Sequence, residues 1–190
     1  MSLQLTQESS NGNLEELVPN EALLTPEKKE AIRGIVSHEL GHAVAAWAQG
    51  IPLTRLVFSV ENGKQKGGTT FYSFENVTPR IHGVCLTAGL AGELTLLGED
   101  YVRASGFRGL RSDSTWLNRL GYTSQEQKAD LLREALGLLN TNIEVYKKWA
   151  LEIQEQMETA VKNGQDKIEI TRELMEKMGI LDYYKPQNLQ

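Results

Sequence analysis

One cysteine, Cys85, stands alone in 190 residues, which excludes an intramolecular disulfide. Its apolar surroundings suit a small buried side chain in a reducing compartment. There is no basic excess: the formal net charge is -5, so nucleic acid is not an expected partner. No uninterrupted apolar run reaches the length of a membrane span, so direct membrane insertion is not expected. The first residues, MSLQLTQESSNGNLEELVPNE, are polar and acidic, unlike a signal or transit peptide, and a soluble cytoplasmic protein is expected. No phosphate-binding G-x-x-x-x-G-K-[ST] loop and no solenoid-period repeat occurs. Proline is scarce, and two of the five prolines, Pro26 and Pro79, directly follow threonine. Histidine is scarcer still, at three residues, and two of them lie four apart.

What is present reads as α+β, mostly helical. Residues 1–24 form a polar, flexible lead-in. Thr25-Pro26 opens a long helix, threonine capping and proline in the first turn, which stops at Gly50. Leu53 to Val60 and Gly68 to Phe74 read as a pair of strands, with KQKGG between them as a loop or bulge. Thr78-Pro79 opens a second long helix ending near Gly98. Its small residues, Gly83, Ala88, Gly89, Ala91 and Gly92, let another helix approach closely. YVRASGFRGLRSDS reads as a loop, with Ser112 capping a short helix to Leu120. Ser124 and Gln127 form a capping box for one long helix to about Val161, broken by Asn163-Gly164. Thr171 caps a last short helix that stops at Gly179. Residues 25–122 are expected to form the functional core and 123–190 a helical C-terminal part of the same domain. Trp47 and Trp116 read as core residues.

The first long helix carries His38-Glu39-Leu40-Gly41-His42, an HExxH pattern. Histidines four apart stand one above the other on a helix, so both imidazoles can reach a single zinc ion. The glutamate lies about 100° round the helix, which places it to take a proton from water at the metal. In a chain of this length the pattern arises by chance on the order of one time in a hundred. Ile32, Val36, Leu40, Ala43, Val44 and Trp47 share one face. The histidines share the other with Ala31, Gly34, Gly41 and Ala45, a face expected to leave room for metal and substrate. Catalytic zinc commonly takes three protein ligands. Ala45 and Ala48 stand where a third histidine of a longer HExxHxxGxxH motif would fall, so the third ligand comes from His82, Glu93, Glu99, Asp100 or Asp113. The residues alone do not separate Glu93 from Asp113. His82 reads as a surface or hydrogen-bonded side chain.

SHELGHAVAAW resembles the HEAGH helix of the FtsH-type zinc metallopeptidases, family M41. Three later stretches are similar to that family in the same order: LTRLVFSVENGKQKGGTTFYSF to its strand-loop-strand, LTAGLAGELTLLGED to its second helix, and SGFRGLRSDSTWLNRL to its loop ending in a metal-binding aspartate. The resemblance covers residues 28–122 and is one of character beyond them. It departs at Leu40, where the family usually has alanine, at Gly92, where an acidic residue is usual, and at RSDS in place of SND. It implies His38, His42 and Asp113 as Zn2+ ligands, Glu39 as catalytic base and Glu93 as a supporting carboxylate.

The resemblance further implies a zincin-like helix packed on a second long helix beside a small sheet. An edge strand would take up the polypeptide substrate by main-chain hydrogen bonding, and Gly68–Phe74 is the candidate. FtsH proteins join this domain to a membrane anchor and an ATP-driven unfoldase, neither of which these residues contain. The expected activity is therefore ATP-independent endopeptidase cleavage of unfolded proteins or peptides. The family's hexamers imply self-association or association with an FtsH-type protease. The alternative is a non-catalytic relative that binds or regulates such a protease.

Overall fold

Threonine–proline pairs start both long helices. Thr25 accepts a hydrogen bond from the Lys28 amide at 3.3 Å and opens α1 (Pro26–Ala48). Thr78 accepts from the Ile81 amide at 3.3 Å and opens α2 (Pro79–Leu97). In each the proline occupies a position whose amide has no helical partner, so nothing is lost by its missing N–H. The computed structural model describes residues 20, 23–61, 64–72, 77–106 and 110–177. The expected lead-in, 1–24, lies outside them except for residues 20, 23 and 24. Of these, Leu24 is buried and the Asn20 amide reaches the Lys162 carbonyl at 2.9 Å.

Between the helices run β1 (Leu53–Glu61) and β2 (Lys64–Tyr72), antiparallel. KQKGG is therefore strand, not loop; the irregularity expected there is a register shift between Ser59 and Val60. Phe74 lies outside the described residues. Leu56, Phe58 and Val60 alternate inward with half-buried Val57 and Ser59, the period of a sheet with one face on the core.

Four further expectations change. The segment expected as a loop holds α3 (Glu99–Ser105), begun at Gly98 (φ 86°) and closed by left-handed Gly106 (φ 68°), and the start of α4 (Leu110–Arg119). Ser112 therefore lies inside α4 and does not cap it. The capping box at Ser124 and Gln127 forms and opens α5 (Gln125–Thr141), but the helix breaks at Asn142 before α6 (Ile143–Lys162). There Thr141 and Asn142 turn their side chains onto the Gly137 and Leu138 carbonyls, both at 2.9 Å, competing with the helix's own amides. After Gly164 (φ 75°) comes β3 (Lys167–Thr171), a strand the sequence reading lacked. It pairs antiparallel with β1, Leu56 opposite Ile170 and Phe58 opposite Ile168, giving the order β2-β1-β3. Thr171 then accepts from the Leu174 amide at 3.4 Å and opens α7 (Arg172–Lys177); Gly179 lies outside the described residues.

The result is a mostly helical α+β fold, with seven helices and one three-stranded sheet among the described residues. At its centre is α1, in contact with α2, α5, α6, β1 and β2. From Ala31 to Ala46 every residue but Arg33 is buried, the histidine face included. The histidine face, expected to leave room for metal and substrate, is covered: its small residues receive α2. A Cβ on Gly41 would collide with the Ala88 carbonyl, and one on Gly92 with the Ser37 carbonyl and the Tyr146 hydroxyl. Tyr146 closes this junction from α6, donating to the Ser37 carbonyl at 2.5 Å. Trp47 is half-buried and meets Trp149 edge to face at 5.4 Å between centroids. Trp116, expected in the core, is 49% exposed, with the Arg119 guanidinium over its ring. Among the described residues no helix is long and apolar enough to cross a membrane.

Candidate metal centre

Helical spacing stacks His38 and His42 on one face of α1, and α2 crosses that face in the opposite direction. Cys85, Gly89 and Glu93 are four apart on α2 and form a stripe against the histidines. The Cys85 carbonyl accepts from His42 Nδ1 at 2.7 Å, and a Glu93 carboxylate oxygen lies 2.7 Å from His38 Nδ1. A carbonyl can only accept, so His42 carries its proton on Nδ1, and the carboxylate favours the same for His38. Gly89 lies between these contacts. A Cβ there would stand 2.6 Å from both Nε2 atoms, so only a bare backbone leaves the space free.

The two Nε2 atoms face each other at 3.1 Å. Asp113, delivered by the first turn of α4, brings Oδ2 to 3.3 Å from His38 Nε2 and 3.6 Å from His42 Nε2. Its other oxygen accepts from the Ser112 hydroxyl at 3.4 Å. Oδ2 is buried and has no hydrogen-bond partner. Two imidazole lone pairs and an orphaned carboxylate oxygen, all buried, thus converge on one point. Such donors repel one another unless a cation lies between them. His38, His42 and Asp113 can hold a metal ion: one ligand atom from each lies within 4.8 Å of the others.

The proton equilibria report the same demand for positive charge. Burial opposes a charged His38, but the carboxylates of Asp113 and Glu93 that it meets, and the charge of Glu39, outweigh burial and raise it to about 10. Burial pushes Asp113 up, yet His42 and His38 prevail and hold it below the ordinary aspartate value.

Glu39, next to His38 in sequence, is buried on the β2 side of α1. Burial raises its carboxyl above the ordinary value, opposed by the two histidines and by the hydroxyl of Thr70 on β2. That hydroxyl lies 3.2 Å from Glu39 Oε2 and 2.8 Å from the Glu39 carbonyl oxygen.

No family model, no curated protein and no solved structure matches this chain. The chemistry rests on the residues themselves. Of the five third-ligand candidates, Asp113 converges with the histidines, and Glu93 stands behind His38, on Nδ1. Glu99 and Asp100 lie exposed at the start of α3, Glu99 paired with Arg103. His82 is half-buried near the start of α2, where burial lowers its pKa. Cys85 contributes its carbonyl; its buried thiol is raised to about 12, far from a thiolate nucleophile.

Two roles at the site escaped the sequence reading, that of Thr70 and that of Gly89, which was read only as a small residue allowing a helix to approach. Gly89 carried a signal, since it sits midway between Cys85 and Glu93 in a small-residue stripe. Thr70 carried none, because its pairing with Glu39 exists only once β2 lies on α1.

Proposed function

We propose that this chain is a zinc endopeptidase of the FtsH peptidase type, cleaving unfolded polypeptides without ATP. The observation that carries the reading is the convergence of His38 Nε2, His42 Nε2 and Asp113 Oδ2, with the buried carboxyl of Glu39 on the same helix. Zinc is the metal of choice for two imidazoles and one carboxylate. Tetrahedral ligands about 2.0–2.1 Å from zinc stand about 3.3–3.4 Å apart, and the three separations here are 3.1, 3.3 and 3.6 Å. The Nδ1 partners Glu93 and Cys85 fix both rings so that Nε2 is the coordinating atom, the usual support of a metal-binding histidine.

Zinc bound there supplies the Lewis acidity that activates a water and polarises a peptide carbonyl. Glu39 acts on the proton: as carboxylate it takes one from the attacking water, and as carboxylic acid it returns it to the leaving amine. Burial raises its proton affinity above that of an ordinary glutamate, the direction that favours returning the proton. β2 lies at one end of the strand order, beside Glu39, and suits a substrate held in extended form by main-chain hydrogen bonds.

The test is digestion of a chemically unfolded, fluorescein-labelled polypeptide by zinc-loaded protein without nucleotide. We expect cleavage by wild type and none by Glu39→Gln, which keeps its zinc. A zinc-loaded wild type that binds the polypeptide and never cuts it turns the reading toward a non-catalytic binding protein.

A further inference from the structure

The contact between Thr70 and Glu39 assigns a role to a strand residue outside the metal-binding motif. We infer that Thr70 is a positioning residue for the proton-transferring carboxylate. The inference rests on the peptidase reading above. Its hydroxyl reaches the main-chain oxygen of Glu39 at 2.8 Å and the side-chain Oε2 at 3.2 Å, so one proton is shared by two acceptors of a single residue. A side chain tied at its own backbone and at its tip through the same hydroxyl has fewer rotamers open to it. Glutamate otherwise has three rotatable bonds, and a base that wanders is out of line with its water for much of the time.

The placement has a second consequence. Thr70 stands opposite Leu56 in the β1–β2 register, and β2 is, among the described residues, the edge strand beside Glu39. Side chains alternate between faces along a strand. In this register the Thr70 side chain faces α1 and meets Glu39. The strand proposed to receive the polypeptide is therefore also the strand that orients the carboxyl. The Thr70 hydroxyl acts through Glu39.

Thr70→Val keeps the shape and removes the hydroxyl, and Thr70→Ser restores the hydroxyl without the methyl group. With the zinc-loaded protein and the labelled unfolded polypeptide, we expect Thr70→Val to lower kcat roughly tenfold or more, with KM little changed and zinc content retained. Thr70→Ser should recover most of the loss. A merely structural threonine would instead tolerate valine as well as serine, or lose zinc and fold together. A second measurement needs no turnover: urea midpoints of the metal-free wild type, Thr70→Val, Glu39→Ala and the double variant. Non-additive shifts support the contact with the Glu39 side chain. Additive shifts overturn the inference whether or not the wild type cleaves. If the wild type never cleaves, the peptidase reading falls, and the role of Thr70 in turnover falls with it even where the shifts are non-additive.

Discussion

Gly89 makes the site possible by having no side chain. Its α-carbon faces the gap that both Nε2 atoms border, and a methyl group would stand 2.6 Å from each. Gly89→Ala should therefore abolish metal binding, read as metal content after dialysis, while far-ultraviolet circular dichroism stays helical. Glu93 acts one step back, through His38 Nδ1. Glu93→Ala should weaken metal affinity roughly 10–100-fold without removing a ligand, measured by competition with a chromophoric chelator. Sequence spacing suffices for His38, Glu39 and His42, because four residues of helix fix their relation. It does not divide the roles of Glu93 and Asp113. Both are acidic and downstream, and only the crossing of α2 and the entry of α4 decide which carboxylate meets Nε2 and which meets Nδ1.

His38 also sets a pH dependence. Its folded pKa, about 10, lies above the ordinary histidine value of 6.5. A group raised on folding contributes stability that is fully present below its unfolded pKa and is lost as pH rises through the folded one. The metal-free protein should lose stability between about pH 6.5 and 10 from this residue. The decline should flatten in His38→Ala, as followed by urea midpoints in the presence of chelator. Glu39, raised by burial, adds the same sign at lower pH. Asp113, held low, has the opposite sign and loses its contribution only as the solution turns acid.

Among the elements, β3 was hidden and is easy to test. K-I-E-I-T alternates, with Ile168 and Ile170 on one face, but five residues after an Asn-Gly turn at the end of a long charged helix give a weak periodic signal. Pairing with β1 turns that weak propensity into a strand and buries Ile170 to 1% exposure. Ile170→Ala should cost about 2–5 kcal/mol in denaturant unfolding, whereas a mutation confined to a free tail would cost little. The break at Asn142 was equally hard to read, since the apolar period continues across it from Leu139 to Tyr146. Two side chains bonding back onto the carbonyls at 137 and 138 divide the helix. The histidine face of α1 is where the helical pattern itself pointed the wrong way. Small residues on the histidine face look like open space in a helical wheel, and in three dimensions they are where α2's backbone lies.

For the whole molecule, α1 is both the centre of the core and the carrier of the site. A metal held there would therefore be coupled to folding: a ligand that binds only the folded chain stabilises it by RT ln(1 + [L]/Kd), about 4 kcal/mol at a thousandfold excess over Kd. Chelation should lower the thermal midpoint of wild type and leave that of His38→Ala unchanged. The fold class, the two long capped helices and the helix that carries the site follow from local rules of capping and periodicity. The third strand, the exposure of Trp116 and the placement of Thr70 depend on contacts distant in sequence, which no local rule contains.

The most direct measurement of the central claim is elemental analysis of the purified protein after zinc loading and dialysis, in parallel for wild type, His38→Ala, Asp113→Ala and Glu93→Ala. We expect near-stoichiometric zinc in wild type, none in His38→Ala or Asp113→Ala, and weakened but detectable zinc in Glu93→Ala. Zinc retained by Asp113→Ala and lost from Glu93→Ala would contradict the assignment of the third ligand. A wild type that binds no metal after zinc is supplied would contradict the metal centre itself.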